Sequence, residues 1–184
     1  MPKISYSTTT GSQEEAQGDD GRINTSSRTS SRLHYVSRDD GESYSLVSND
    51  ATAAAGTYII YWSNTDGVGR RLFIDSITMS GVETALWKVH YVTGTAAAGS
   101  SLTPINLNNT SSNAAPAIAR GDDSITGLTV SKTIFTGRSS ANGPPLKFDT
   151  KDAVMLGQNQ AIAVEYDTGV TGVAEVTIVG YYEA

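Results

Sequence analysis

The sequence contains no cysteine, few charged residues and no long apolar segment. Without cysteine the chain has no disulfide framework, no Cys-based zinc site and no cysteine nucleophile. Charged residues make up 17% of the chain, against about 25% in an average domain, so the Glu- and Lys-rich repeat of a helix bundle or coiled coil is missing. No apolar run approaches the ~18 residues of a membrane span. We therefore expect neither a helical bundle nor a membrane partner.

The charge balance disfavours nucleic acid as a partner. The net charge is −6 at pH 7 and the isoelectric point is about 4.8, whereas a protein that neutralises phosphates normally presents a basic surface. The first residues, 1–5, run directly into polar sequence, so we expect no signal peptide.

Residues 1–32 differ in composition from the rest of the chain. They are dominated by Ser, Thr, Gly, Gln, Asp, Glu and Arg, and their apolar residues are only Met1, Ile4, Tyr6, Ala16 and Ile23. Such a segment cannot bury enough apolar area to offset the entropy of ordering it. The sequence therefore predicts an extended polar N-terminal arm, residues 1–32, ahead of a folded domain, residues 33–184.

The folded domain is predicted to be all-β. Short runs rich in Tyr, Ile, Leu and Val alternate with turns rich in Gly, Asn and Asp. A change of phase between Ile74 and Ile77 predicts a bulge near Ser76, and residues 94–123 are predicted to be a long loop. About eight strands and no helix indicate an antiparallel β-sandwich. The predicted strand segments are residues 43–48, 57–62, 71–80, 84–93, 128–136, 146–148, 153–156, 160–167 and 174–183.

The last two predicted strands show the clearest alternation. Ile162 and Val164 share one face of the first strand, and Val176 and Ile178 share one face of the second. A short Gly-containing turn separates the two strands, so we predict an antiparallel hairpin in which these four residues are buried and face one another.

Aromatic residues within the strand patterns are expected in the core. Trp62 and Trp87 follow the apolar phase of their strands, which favours core packing over an exposed sugar-binding platform. Tyr181 and Tyr182 are adjacent on one strand and point to opposite faces. We therefore expect one of them to be exposed or at an interface.

Residues that could support catalysis are scarce. His34 lies at the arm boundary, and His90 alternates with core positions, so we expect His90 on a solvated face as a surface or interface residue. No Gly-x-Ser-x-Gly motif is present. Glu165 and Glu175 would be neighbours on the outer face of the predicted hairpin, as paired carboxylates are in glycoside hydrolases, but a solvated sheet face is the simpler explanation. We predict no enzyme, no catalytic residue and no cofactor.

Several short motifs have simple explanations. The Asp-Asp-Gly and Gly-Asp-Asp segments lack the alternating pattern of a calcium loop, so we predict turns and no metal site; they are residues 19–21, 39–41 and 121–123. Arg120-Gly121-Asp122 matches the integrin-ligand tripeptide within the predicted loop. Glycosylation acceptor patterns, which we expect to be unused without a signal peptide, begin at Asn24, Asn108 and Asn109.

Three segments carry a family resemblance. They are Leu72–Thr78, Trp87–Tyr91 and, most specifically, Leu102–Asn113, which reads Leu-Thr-Pro-Ile-Asn-Leu-Asn-Asn-Thr-Ser-Ser-Asn. With the two closing strands, the region from Arg71 to Tyr182 resembles the small jelly-roll virion proteins of tailed bacteriophages. Such proteins are head decoration or cement proteins, head fibres or tail-associated adhesins. The resemblance implies a jelly-roll sandwich but supplies no catalytic or ligand-binding residue, and it does not include the arm.

The resemblance leads to two functional expectations. The first is a structural protein of the virion surface, made in the host cytoplasm, that decorates or cements the capsid and binds the major capsid protein. The alternative is a receptor- or glycan-binding module of a tail fibre or baseplate. The resemblance and the symmetry of a shell also imply a homotrimer. Val92, Val179 and Tyr181 lie opposite the core face of their strands, which makes them candidates for the subunit interface.

Overall fold

The structure, a computed structural model, describes residues 5–7 and 13–15 in their backbone and residues 31–183 in full. The chain divides into two compact units, Met1–Ser30 and Ser31–Ala184. In the first unit, β1 (Ser5–Ser7) and β2 (Gln13–Glu15) pair antiparallel. The remainder of the predicted arm, up to residue 30, lies outside the described residues.

The second unit begins with a short helical segment that leads into two antiparallel sheets. This segment, here called the root helix (residues 32–40), consists of α1 (Arg32–Tyr35) and one π-helical turn (Val36–Asp40). In the part of the chain that the structure describes, eleven strands follow it: β3 (Ser43–Ala53), β4 (Thr57–Asn64), β5 (Arg71–Gly81), β6 (Ala85–Thr93), β7 (Ser100–Leu102), β8 (Ile105–Asn106), β9 (Ala117–Ile125), β10 (Thr129–Ser139), β11 (Leu146–Leu156), β12 (Ala161–Asp167) and β13 (Gly172–Glu183).

Early strands pair with late strands. One sheet has the order β10-β6-β12-β4-β9-β7, and the other has the order β11-β5-β13-β3-β8. Thus β3 pairs with β13, β4 with β12, β5 with β11 and β6 with β10. The strands β7 to β9 lie between β6 and β10 in the sequence, and in the fold they extend one edge of each sheet. The two sheets pack face to face as a β-sandwich.

The predicted final hairpin is wrong in its pairing, although its buried residues are confirmed. β12 belongs to the six-stranded sheet and β13 to the five-stranded sheet. Ile162 and Val164 therefore meet Val176 and Ile178 across the sandwich, within one core cluster and each at most 1% exposed. Alternation identifies the buried face of a strand, but it does not tell whether the next strand stays in the same sheet.

The prediction of about eight strands is too low. The segment 94–123, predicted as a loop, contains β7, β8 and most of β9. β7 and β8 have only three and two residues, and β9 is mostly Ala, Gly, Asp and Ser with isoleucines only at positions 118 and 125. The alternation that identified the other strands is therefore absent from them.

Bulges modify three strands. The predicted bulge in β5 is confirmed, because the register with β13 skips Asp75. The two predicted strands 146–148 and 153–156 form one strand, β11, whose pairing with β5 is interrupted between Asp149 and Val154. β10 has two register shifts against β6. Since β10 and β11 are the long edge strands, these irregularities hinder pairing with another sheet edge.

The core lies between the two sheets and contains both tryptophans. Trp62 and Trp87 are fully buried, as predicted. The Trp87 indole N–H donates to Ser139 Oγ at 3.0 Å, and its ring packs against Tyr166 with the centroids 4.9 Å apart. None of the described helices is long and apolar enough to cross a membrane.

Ile178→Ala should lower the free energy of unfolding by about 2–5 kcal/mol, because it leaves a cavity at a fully buried position of β13. Val130→Ala is the matched control, since Val130 is 41% exposed on β10 and its truncation should cost less than about 0.5 kcal/mol. Urea unfolding of both variants measures the difference. Equal losses in the two variants would contradict the assignment of the faces.

Candidate functional site

The root helix has a defined start and a defined end. Ser31 is its N-cap, and the Ser31 hydroxyl accepts a hydrogen bond from the backbone N–H of His34 at 3.3 Å. Gly41 ends the helix in the left-handed conformation with φ of 64°, and its N–H donates to the Val36 carbonyl at 2.8 Å. Val36 is fully buried and fixes the helix to the sandwich.

An asparagine-rich loop (residues 105–113) binds the C-terminal end of the root helix. Carbonyl groups in the last turn of a helix have no partner within the helix and need donors from elsewhere. Here the donors are side-chain amides: Asn106 Nδ2 donates to the Gly41 carbonyl at 2.8 Å, Asn108 Nδ2 to that of Ser37 at 2.8 Å and Asn113 Nδ2 to that of Asp40 at 3.2 Å. The loop and the root helix together are called the root clamp below.

The root clamp is also tied to the end of β13 and to a buried ion pair. Arg32 Nε donates to Glu183 Oε2 at 2.9 Å, which links the first residue of the helix to the last strand. Arg70 bridges Glu42 and Asp66, with 2.8 Å from Nη1 to Glu42 Oε1 and 2.8 Å from Nη2 to Asp66 Oδ1. Burial alone would raise the pKa of Asp66, but the hydrogen bonds from Arg70 hold it below its ordinary value.

The C-terminal end of the root helix is thus fixed by hydrogen bonds that the sequence did not predict. The only signal in the sequence was the closely spaced asparagines of residues 102–113. The root helix is therefore held to the sandwich by side chains as well as by Val36.

A groove of about 620 Å³ lies between the root helix and the asparagine-rich loop. Its lining combines two leucines, hydroxyl and amide groups, and two basic side chains. The lining residues are Ser31, Leu33, His34, Ser37, Arg38, Leu107, Asn108, Asn109 and Thr110.

A second polar cluster surrounds His90 on the outer face of the six-stranded sheet. His90 Nδ1 lies 3.0 Å from Thr133 Oγ1, and His90 Nε2 lies 3.1 Å from Glu165 Oε2. Lys88 Nζ donates to the other Glu165 oxygen at 2.6 Å and to Asp167 at 2.9 Å. The prediction of a solvated His90 is wrong, because the residue is only 2% exposed.

The imidazole of His90 connects three neighbouring strands. Thr133 belongs to β10, His90 to β6 and Glu165 to β12. A hydroxyl, an imidazole and a carboxylate in this order also form the nucleophile, base and orienting acid of many hydrolases. Here, however, the carboxylate of Glu165 is paired with Lys88. Burial lowers the pKa of His90 below its ordinary value of 6.5, although Glu165 opposes the shift. We assign the cluster a structural role, as a polar tie across the sheet.

The other predicted site residues lie apart from one another. Glu165 and Glu175 are on different sheets, so they are not neighbours; Glu175 contacts Asn49 and Ser80. His34 is exposed on the root helix. The alternative of a carboxylate pair is therefore removed, because the hairpin on which it depended does not form.

The tripeptide Arg120-Gly121-Asp122 lies in β9 rather than in a loop. Asp122 accepts hydrogen bonds from the backbone N–H groups of Ser100, at 2.7 Å, and Ser124, at 2.9 Å. Burial would raise the pKa of Asp122, but these bonds lower it to about 2. Its carboxylate is therefore a structural group. Among the described residues, no group of three or more His, Asp or Glu side chains is placed to hold a metal ion.

The predicted interface residues are largely covered by the chain itself. Val92 is 4% exposed, in a small cluster with Ala96 and Ile125. Tyr181 is buried and stacks on Phe73 with the ring centroids 5.3 Å apart. Burial raises the pKa of Tyr181 to about 12. Val92 and Tyr181 are therefore unsuited to an interface, and the expectation that Tyr181 or Tyr182 is exposed is wrong, since both are buried.

Asn113→Ala should speed amide hydrogen exchange in residues 36–42 and lower the free energy of unfolding by about 1 kcal/mol, because it removes a donor from the end of the root helix. Asn109→Ala, at an exposed position of the same loop, is the control and should leave the exchange unchanged. Equal exchange in the two variants would show that the clamp does not hold the helix.

Acidification should reduce the stability that His90 contributes. Because the folded-state pKa is depressed, the contribution is complete above about pH 6.5 and is lost as the pH falls through the folded-state pKa. The difference in unfolding free energy between the wild type and His90→Gln should therefore shrink between about pH 7.5 and about pH 5. A difference that grows on acidification would contradict this assignment.

Comparison with known proteins adds no further guide to the site. No protein-family model matches the chain, and no curated protein or solved structure matches it significantly. The features of the chain that bear on function are therefore the root clamp, the groove beside it and the composition of the residues that precede it.

Proposed function

We propose that the chain is a structural virion protein of a tailed bacteriophage, which decorates or cements the capsid and is attached through its N-terminal arm and its sandwich. The partner in this proposal is the major capsid protein. The observation that carries the proposal is the root clamp, in which Asn106, Asn108 and Asn113 fix the helix that follows the arm. An arm can hold the sandwich on a partner only if the helix that joins the two stays folded when the arm is pulled.

The composition of the arm supports the same function. Residues 1–30 contain few apolar side chains, so they gain little by packing on a core of their own. An extended segment of this kind can add to the sheet edge of a neighbour, where backbone hydrogen bonds supply the affinity. The proposed attachment therefore needs no special side chains in the arm.

We further infer that the sandwich is of the jelly-roll type. The eight strands β3 to β6 and β10 to β13 pair first with last and are divided four and four between the two sheets, which is the nested order of a jelly roll. In this interpretation, β7 to β9 are an insertion that widens each sheet at one edge. Jelly rolls recur in viral capsid and lectin domains, so the fold suits both functional candidates.

We retain a homotrimer as the proposed assembly, with a revised contact surface. The strand register places Val179 and Ile105 beside Ser45 on the outer face of the five-stranded sheet, and Val47 lies two residues along the same face. Val47 is 50% exposed and Ile105 is 66% exposed. This apolar face replaces the surface expected from Val92 and Tyr181.

The glycan-binding alternative is favoured by a different feature. A cavity of about 340 Å³ is lined partly by neutral hydrogen-bonding groups and a tyrosine, which suit a sugar, beside Lys132 and apolar side chains. The neutral polar residues and the tyrosine are Tyr91, Thr93, Ser131, Asn159 and Gln160. In this alternative the arm would attach to a tail fibre or baseplate.

Deletion of residues 1–30 should leave a folded sandwich that no longer joins the phage particle. The deletion keeps Ser31 and Arg32, so the root helix retains its N-cap and its contact with Glu183. Circular dichroism checks the fold, and mass spectrometry of purified particles measures incorporation against the full-length chain. Normal incorporation of the shortened protein would refute attachment through the arm.

A further inference from the structure

The groove beside the root helix is lined by basic side chains in an acidic protein, although Arg38 also pairs with its neighbour Asp39. Arg38 and His34 line it, and none of the lining residues is acidic, whereas the whole chain carries a net charge of −6. The groove volume of about 620 Å³ falls within the roughly 300–1,000 Å³ of typical ligand sites. Arg38 is therefore the group of the groove that can attract an anionic occupant.

The groove also offers apolar contacts and hydrogen bonds along its length. Leu33 and Leu107 provide the apolar surface, and Leu107 is 45% exposed. Hydroxyl and amide groups of Ser31, Asn109 and Thr110 lie beside them. Leu107 directly follows β8, which is one of the two edge strands of the five-stranded sheet among the described residues. An extended polypeptide can lie along such an edge and place alternate side chains in the groove.

Arg38 retains binding capacity for a second carboxylate. Its Nε and Nη2 donate to the two carboxylate oxygens of Asp39, at 2.6 and 2.8 Å. The guanidinium group has five N–H donors in a planar fork, so the edge formed by Nη1 and Nη2 remains for an incoming anion. The Arg38 side chain is exposed, and an exposed ion pair between neighbouring residues exchanges partners at little cost.

The sequence that leads into the groove has the same charge. Residues 21–38 contain Arg22, Arg28, Arg32 and Arg38 and no acidic residue. Arginine favours bidentate recognition of carboxylates. In the sequence, basic residues therefore precede the groove, up to the acidic pair at residues 39 and 40.

We propose that this groove binds an extended acidic segment of a partner polypeptide, with Arg38 as the carboxylate-binding residue and Leu33 and Leu107 as the apolar contacts. The inference deepens the proposed function, on which the identity of the partner rests: the segment would belong to a capsid subunit. The chemistry of the groove defines its occupant as a polypeptide with alternating acidic and apolar side chains.

The direct test is a binding measurement on the purified full-length protein. The probes are a fluorescent six-residue peptide of alternating leucine and glutamate and its leucine–lysine counterpart, followed by fluorescence anisotropy. We expect the acidic peptide to bind, to bind more weakly as salt rises from about 50 to about 200 mM, and to lose roughly tenfold in affinity in Arg38→Gln. Arg138→Gln, at an exposed position of β10, is the matched control and should bind normally.

Three results would overturn the proposal: no binding of the acidic peptide, equal binding of the lysine peptide, or unchanged affinity in Arg38→Gln. Tighter binding of polygalacturonate than of the acidic peptide would also overturn it, in favour of a carboxylated glycan. Leu107→Ser serves as a second variant, with thermal unfolding as the check on its fold, and should also weaken binding. Because the assay needs no particle, its failure contradicts the groove assignment alone, whereas absence of the protein from virions contradicts the proposed function.

Discussion

The pairing of early strands with late strands constrains the rest of the structure. Because β3 pairs with β13, the root helix ahead of β3 meets Glu183 at the end of the last strand. Because β8 pairs with the start of β3, the asparagine-rich loop lies where the root helix ends. The root clamp and its contact with Glu183 thus join three distant parts of the sequence, which the pairings of β3 with β8 and β13 bring together.

Polar groups, rather than apolar ones, determine how the edges of the sandwich are closed. Ser48 Oγ donates to the Ile59 carbonyl at 2.7 Å, and Asp50 Oδ2 accepts from the Asp123 N–H at 2.8 Å, so β3 is tied to β4 and β9 of the opposite sheet. Within the six-stranded sheet, His90 links β6 to its neighbours β10 and β12 by polar contacts of its side chain. The asparagine-rich loop extends this principle to the root helix, which has only Val36 fully buried.

The sequence predicted what depends on local periodicity. Alternation identified the buried faces at Trp87 and Ile178, and the change of phase located the bulge at Asp75. The alternation did not predict that the chain crosses from one sheet to the other between β12 and β13. A hairpin within one sheet and a crossing between two sheets give the same alternation of buried and exposed residues. The burial of His90 depends on Thr133, which is distant in sequence, and the root clamp depends on amide donors whose partners are set only by the topology.

The central claim is that a clamped root lets the N-terminal arm hold this sandwich on a phage shell. Cryo-electron microscopy of the purified virion tests it most directly, since it locates both parts of the chain. The account predicts density for the sandwich on the outer surface of the capsid, with the root helix intact and residues 1–30 in contact with capsid subunits. Density for the chain at a tail fibre or baseplate, or a sandwich bound to the shell without any contact from residues 1–30, would contradict it.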